Sequence, residues 1–433
     1  MPQKKMKNIE KFICSYEPEN RSVHLMEDSA GRLGISREDL VQIVKPYSFI
    51  YQRLPVQIEG RVFNISSGIV LHNRARGPFK GGIRIDSEVN IWETTELARL
   101  MTLKTALAGL ELGGGKSGIL VDFEVIYNIL EIKTDFHIFV DRFKDHIMKE
   151  FADHFVEQNL NRIYIPAPDM GSSGREMMLL YNKTHDPATV TAKPEGIEGW
   201  LPGRREATGF GTAYSALKYL EKAGRDPSTV TVAIQGFGNV GSFAAKYLHE
   251  AGCKVVAVTD IYGGVHHESG IDIPALIEYT DKNRTVKGFD DKRTIDNQGL
   301  FALPVDLLVP AASGHVIDKT NCNSLGVRLA VMEAANMPVS YDAFKVLQKK
   351  SVDLLPDNYV NSGGVIASDL EYRQGIGGLR FSRKEVFDHL RNTFDLMFEE
   401  ILERKEKSGS YTQAACDIAM ERIYQAMRTR SLV

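Results

Sequence analysis

The chain has 433 residues, 43% of them apolar, which is enough for more than one sizeable core, so two domains are expected. Lysine plus arginine total 53 and aspartate plus glutamate 56, a net charge of −3 that gives no electrostatic reason to invoke a nucleic-acid or membrane partner. The four cysteines (Cys14, Cys253, Cys322, Cys416) form no close pair and read as free thiols. The charged first twenty residues lack a signal-peptide stretch, and no apolar run could span a bilayer, so a cytoplasmic location is expected.

Arg61 to His72 is rich in Val, Ile, Phe and Ser and predicts a strand. Residues 88–109 predict a helix with Leu97, Leu100, Met101, Lys104 and Leu107 on one face, so Lys104 is a charge set on an apolar stripe. Glycines from Gly109 onward end it. Gly-Gly-Gly-Lys-Ser-Gly (113–118) reads as a glycine loop carrying Lys116, followed by a short strand at 119–121. A helix at 134–158 and a strand at 162–166 lead into the turn Pro-Ala-Pro-Asp-Met-Gly (166–171), which carries Asp169. Prolines and glycines collect between Thr184 and Gly211, the composition of a hinge.

Beyond the hinge the pattern alternates. Helix 212–223, strand 229–235, helix 239–251 and strand 254–259 are followed by strand-like 305–309 and 327–332, helix 340–350 and strand-like 351–355. Such alternation predicts a parallel sheet with helices on both faces. Residues 380–425 are helical in pattern and charged on one side, suited to packing back on the first domain.

Within this half, Gly236, Gly238 and Gly241 stand in GxGxxG spacing between a strand and a helix, in Gln-Gly-Phe-Gly-Asn-Val-Gly (235–241). The glycines permit a tight turn and the close approach of a pyrophosphate, which the helix N-terminus attracts. A second strand ends at Asp260, placed to accept hydrogen bonds from ribose hydroxyls and to repel a 2′-phosphate, which favours NAD over NADP. In the first half, Lys80 (within Gly-Pro-Phe-Lys-Gly-Gly-Ile-Arg, 77–84), Lys104 and Lys116 are set to converge with Asp169. Such a set suits a dicarboxylic substrate, with one desolvated lysine left for chemistry near neutral pH. A lone helix-edge lysine ordinarily reaches solvent, and a lone aspartate in such a turn ordinarily caps it. His266 and His267 have no acidic or cysteine cluster around them in sequence, and no metal is expected.

From about Tyr51 to Arg373 the chain resembles glutamate dehydrogenases of the glutamate/leucine/phenylalanine/valine dehydrogenase family. The resemblance runs through GPFKGGIR, MTLK, LGGGKSG, PAPDMG, EATGFG, GFGNVG, VPAA, EAAN and VNSGGV. It implies reversible oxidative deamination of L-glutamate to 2-oxoglutarate and ammonium in a homohexamer. It assigns Lys116 and Asp169 to catalysis, Lys104 to the α-carboxylate, Met101 and Ala167 to the pocket lining, and Lys80 and Ser368 to the γ-carboxylate. Thr208, Phe237, Asn239, Val240, Ala312, Asn336 and Asn361 match cofactor-contacting positions. The expected architecture is α/β: a substrate-binding and oligomerisation domain (1–200), a Rossmann-type dinucleotide-binding domain (201–375) and C-terminal helices returning to the first (376–433).

Two departures from the glutamate pattern stand out. GGGKSG replaces the usual GGAKGG and is nearer the leucine-type branch, and Glu-Ala-Ala-Asn-Met-Pro (333–338) replaces EGANGP. They leave open a dehydrogenase for a branched-chain or aromatic amino acid, or a catalytically weak relative that binds or regulates partner subunits.

Overall fold

The computed structural model describes residues 21–433, so Cys14 and the charged first twenty residues lie outside the described residues. The first sheet begins with a hairpin. Strand β1 (Ser48–Ile58) turns through Glu59 and Gly60, both at positive φ, into the antiparallel β2 (Arg61–Asn73). Leu54, Val56 and Ile58 alternate inward along β1. Strands β3 (Phe79–Asp86), β4 (Gly114–Leu120) and β5 (Tyr164–Pro168) complete the order β1-β2-β4-β3-β5, with β4, β3 and β5 mutually parallel.

The segment expected as a glycine loop at 113–118 is therefore a strand, and so is the Lys80 segment, which had no assigned element. Lys80 lies in β3, and Lys116 lies in β4 rather than in a loop before a short strand. The glycines serve close packing. A Cβ on Gly81 would meet the Gly115 carbonyl oxygen at 1.7 Å, and one on Gly114 would meet Thr102 Oγ1 at 2.2 Å. Only hydrogen fits between β3, β4 and the helix Ile91–Leu107. That helix starts where the Asn90 side chain accepts the Glu93 N–H (2.9 Å). From Glu96 to Leu107 all of its residues except Met101 are buried, so it is enclosed rather than amphipathic.

The second sheet comprises β6 (Thr231–Gln235), β7 (Lys254–Thr259), β8 (Gly264–His266), β9 (Thr294–Ile295), β10 (Leu307–Pro310), β11 (Ala330–Met332) and β12 (Asp353–Leu355), in the order β12-β11-β10-β6-β7-β8-β9. From β12 to β7 it is parallel, as expected; β8 and β9 run antiparallel. The reversal follows from a tight turn after β7, closed by the Asp260 N–H to the Gly263 carbonyl (2.7 Å), which leaves no room for a helical crossover.

The hinge is shorter than its composition suggests. Helix Ala207–Lys222 starts five residues before the expected one and takes in Gly209 and Gly211. These two glycines admit neighbouring helices: a Cβ would meet Phe243 Cβ at 2.4 Å or the Phe394 ring at 2.5 Å. The C-terminal helices Arg383–Ser408 and Tyr411–Thr429 link both halves. Arg422 donates to the Ala106 and Leu107 carbonyls (3.1 and 2.6 Å) at the end of helix Ile91–Leu107, and Gln413 donates to the Leu25 carbonyl (2.9 Å). Cys253, Cys322 and Cys416 are buried and free. Among the described residues no helix is long and apolar enough to cross a membrane.

Gly81→Ala should destabilise the protein by about 3 kcal/mol or more, because the added methyl group meets backbone on a neighbouring strand. Chemical denaturation with an unchanged m-value measures this; a loss below about 1 kcal/mol would show that the two strands can separate freely.

Candidate active site

A cleft of about 710 Å³ opens between the first sheet, along β3, β4 and the end of β5, and the second domain. Lys80, Met101, Lys104, Lys116, Ala167, Asp169 and Ser368 all line it. Five separate elements bring them there: β3, helix Ile91–Leu107, β4, the end of β5, and helix Gly363–Gly377. Lys80, Lys104 and Lys116 are only 1%, 6% and 3% exposed, which rules out solvated surface lysines. Ser368 lies mid-helix, not at an N-terminus.

One end of the cleft is balanced in charge. Lys116 Nζ forms a short ion pair with Asp169 Oδ2, and Arg84 Nε donates to Asp169 Oδ1 (3.0 Å). Arg84 also pairs with Glu93. Burial by itself would raise the Asp169 carboxyl, but Lys116 and Arg84 outweigh it and hold the group well below the usual carboxylate range. Burial lowers the Lys116 ammonium from its ordinary value, with Asp169 opposing the shift. Lys104 Nζ donates to Asn336 Oδ1 (3.1 Å), and burial lowers it to about 8 against the support of Asp357.

The other end is not balanced. Lys80 Nζ donates only to the Ile165 carbonyl (3.2 Å), and Arg204 Nε donates to Ser368 Oγ (3.1 Å). Among the described residues neither cation pairs directly with a carboxylate. Burial drives Lys80 well below its ordinary range, and Arg204 pushes it further. Glu371, one helical turn beyond Ser368, is the nearest source of negative charge, but it is held by Lys193 Nζ (2.9 Å) and by the Ala192 and Lys193 amides (2.6 and 3.1 Å). Ser368 Oγ also accepts from Thr191 Oγ1 (3.2 Å), so its own proton is left for a ligand.

Sequence reasoning missed Arg84, Arg204, Thr191 and Glu371. Arg84 closes a segment already singled out. Arg204 lies in the glycine- and proline-rich stretch, where nothing in the local pattern says that it turns inward.

A second cavity of about 1130 Å³ adjoins the cleft and shares Ala311, Ala312 and Ser313 with it. Gly236, Phe237, Gly238, Asn239 and Asp260 line it, at the N-terminus of helix Asn239–Glu250. Gly236 has φ +95°, and a Cβ there would meet Ala312 at 2.8 Å. Gly241 faces neither cavity; it permits packing against the Gly236 carbonyl. Thr208, Val240, Asn336 and Asn361 line the cleft side, and the buried Asn361 Oδ1 has no partner. An open helix N-terminus, a glycine cradle and an orphaned amide oxygen on one continuous path fit a nicotinamide dinucleotide.

Asp260 is where predicted, but its carboxylate is engaged by its own turn. Oδ1 accepts the Tyr262 and Gly263 amides (2.7 and 3.2 Å), and Oδ2 accepts Thr285 Oγ1 and the Val286 amide (2.6 and 2.8 Å). His267 pairs with Asp290 (3.0 Å), and no group of three or more metal-ligating side chains gathers among the described residues.

Two family profiles match this chain: the glutamate/leucine/phenylalanine/valine dehydrogenase profile over residues 199–431 and the dimerisation domain of the same dehydrogenases over residues 46–186. The chain belongs to the glutamate/leucine/phenylalanine/valine dehydrogenase family. It is similar to the hetero-hexameric glutamate dehydrogenase of Thermus thermophilus in its Leu-bound form, at 26% identity and TM-score 0.86, covering 96% of this chain and 99% of that one. Glutamate dehydrogenase from Peptoniphilus asaccharolyticus matches at 27% identity and TM-score 0.78, over 96% of this chain and 100% of that one. The enzyme from Plasmodium falciparum, at 24% identity and TM-score 0.83, shares the fold over 94% of this chain and 90% of that one. As a member of this family the protein is an amino-acid dehydrogenase that uses a nicotinamide dinucleotide.

Arg84→Met should raise the Asp169 carboxyl, since it removes one of the two cations holding that group down. The acid limb of the rate profile should move to higher pH; an unmoved limb would mean that Lys116 alone controls Asp169.

Proposed function

We propose that this chain catalyses the reversible oxidative deamination of L-glutamate to 2-oxoglutarate and ammonium. The observation that carries this reading is the pair of cleft cations, the buried Lys80 and the half-buried Arg204, left among the described residues without a direct carboxylate partner beside a serine whose proton is free. An apolar side chain of leucine or phenylalanine would leave those charges unanswered in a dry site, whereas a γ-carboxylate answers both. Lys104 holds the α-carboxylate, with Met101 and Ala167 lining the path between the two ends.

Lys116 and Asp169 are left for the chemistry. Lys116, with its proton held less tightly by burial, orients the attacking water and supports the oxygen as negative charge develops on it. Asp169, ionised and aligned by Arg84, takes the proton from the amine nitrogen and returns it in the reverse direction. The bound nicotinamide supplies the hydride acceptor for the substrate Cα. Asn336 and Asn361 would hold the nicotinamide end of the coenzyme, and Gly236–Asn239 its phosphates. NAD is the favoured coenzyme on the charge of Asp260; Arg205, Lys246 and Arg284 along the same cavity make NADP the alternative.

In this reading residues 1–200 bind substrate and build the oligomer, 201–375 bind the coenzyme, and 376–433 return to the first domain. The assembly is a homohexamer and the location cytoplasmic.

The test is NADH and NADPH oxidation with 2-oxoglutarate and ammonium, beside the oxo acids of leucine and phenylalanine. Lys80→Leu with Ser368→Val should lower glutamate-direction kcat/KM by about a hundredfold or more, and Lys116→Ala should abolish turnover with coenzyme affinity nearly unchanged. Faster turnover of a branched-chain or aromatic oxo acid would transfer the assignment to that substrate, and a well-folded protein inert with every oxo acid would end it.

The pH dependence has a definite sign. With its ammonium lowered to about 8, Lys104 is charged below that pH and loses its proton above it. Binding of 2-oxoglutarate, measured without ammonium, should be nearly flat below pH ~7 and weaken by up to about tenfold per pH unit above ~8. Unchanged affinity to pH 10 would remove Lys104 from the carboxylate.

A further inference from the structure

The loop after β11 carries Asn336, which meets Lys104 across the cleft, and its next residue is Met337. Met337 has φ +45°, in the left-handed region that a long side chain rarely enters, at a position where the glutamate pattern reads glycine. Both of its backbone groups are engaged. Its N–H donates to Asp357 Oδ2 (2.8 Å), and its carbonyl accepts the His315 N–H (2.9 Å). Its side chain is buried against Leu97 and Leu100 in a small apolar cluster separate from the main cores.

Those leucines belong to helix Ile91–Leu107 of the first domain, on the same stripe as Lys104. The cluster therefore joins the two walls of the cleft directly, beside the polar contact of Lys104 with Asn336. Glycine at 337 would remove the strain and also remove this contact.

We propose that Met337 is a positioning residue that clasps the Asn336 loop to helix Ile91–Leu107 and so favours the closed cleft before substrate arrives. Opening the cleft exposes the Met337 side chain and two leucines to water, and this apolar surface opposes the opening. The kinetic part of the test rests on the dehydrogenase reading; the structural part does not.

Met337→Gly removes the clasp, whereas Met337→Leu keeps an apolar side chain of similar volume. Met337→Gly should raise KM for 2-oxoglutarate by about tenfold with kcat changed by less than about twofold, because closure then draws on substrate binding. The ligand-free variant should scatter X-rays as a more open particle than wild type and return to the wild-type curve at saturating coenzyme and 2-oxoglutarate. Met337→Leu should lie within about threefold of wild type in KM and match its scattering. Met337→Gly with wild-type KM and scattering, or Met337→Leu as impaired as Met337→Gly, would overturn the clasp. If the wild type turns over no oxo acid, the proposed function fails while the scattering of the ligand-free variants still decides the clasp.

Discussion

Backbone meets backbone in the substrate domain at distances that exclude any side chain, and the site is built on that contact. The Gly81 and Gly114 positions let β3 and β4 close on each other and on helix Ile91–Leu107. Lys80 and Lys116 consequently rise from paired strands, and Lys104 from an enclosed helix. A strand holds the base of a side chain far more firmly than a loop does, and the tight walls keep water away. Desolvation then becomes the leading influence on all three lysines.

Once dry, the ammonium groups are sorted by their partners. Lys116 has Asp169, itself shared with Arg84, so this end is neutral enough to move protons. Lys80 has a second cation beside it, and Glu371, the carboxylate that supports both, is bound by Lys193 and two backbone amides. That end holds positive charge without an anion, a costly arrangement unless a ligand completes it. A single cleft thus carries a charge-balanced end and an unbalanced end, set apart by which carboxylates already have partners.

The coenzyme domain uses glycine differently. Gly236 takes a left-handed backbone against Ala312, while Gly209 and Gly211 let helices touch. The two cavities meet at Ala311–Ser313, so the glycine turn at the helix N-terminus and the cleft that holds Lys116 and Asp169 lie on one continuous path. The C-terminal helices tie the halves by capping helix Ile91–Leu107 through Arg422. Across the cleft itself the halves are bridged by Lys104–Asn336 and the Met337 cluster.

Residue chemistry and local spacing were enough to point to the dinucleotide turn, the helix bearing Lys104 and the set Lys80, Lys104, Lys116 and Asp169; Ser368 entered only through the family resemblance. Glycines between strand and helix patterns have few roles, and a charge on an apolar stripe has few reasons to be there. Composition alone does not distinguish a glycine that bends a chain from one that admits a neighbour, which is why the strand bearing Lys116 read as a loop and the hinge read too long. Only the tertiary structure decided that Asp260 is also engaged by Thr285 and Val286, that Arg84 and Arg204 reach the cleft, and that Glu371 is already held. Each of these depends on where partners distant along the chain place their hydrogen-bonding groups. Chain order carries the identity of a charge; whether that charge is answered is settled only when the remote segments fold around it.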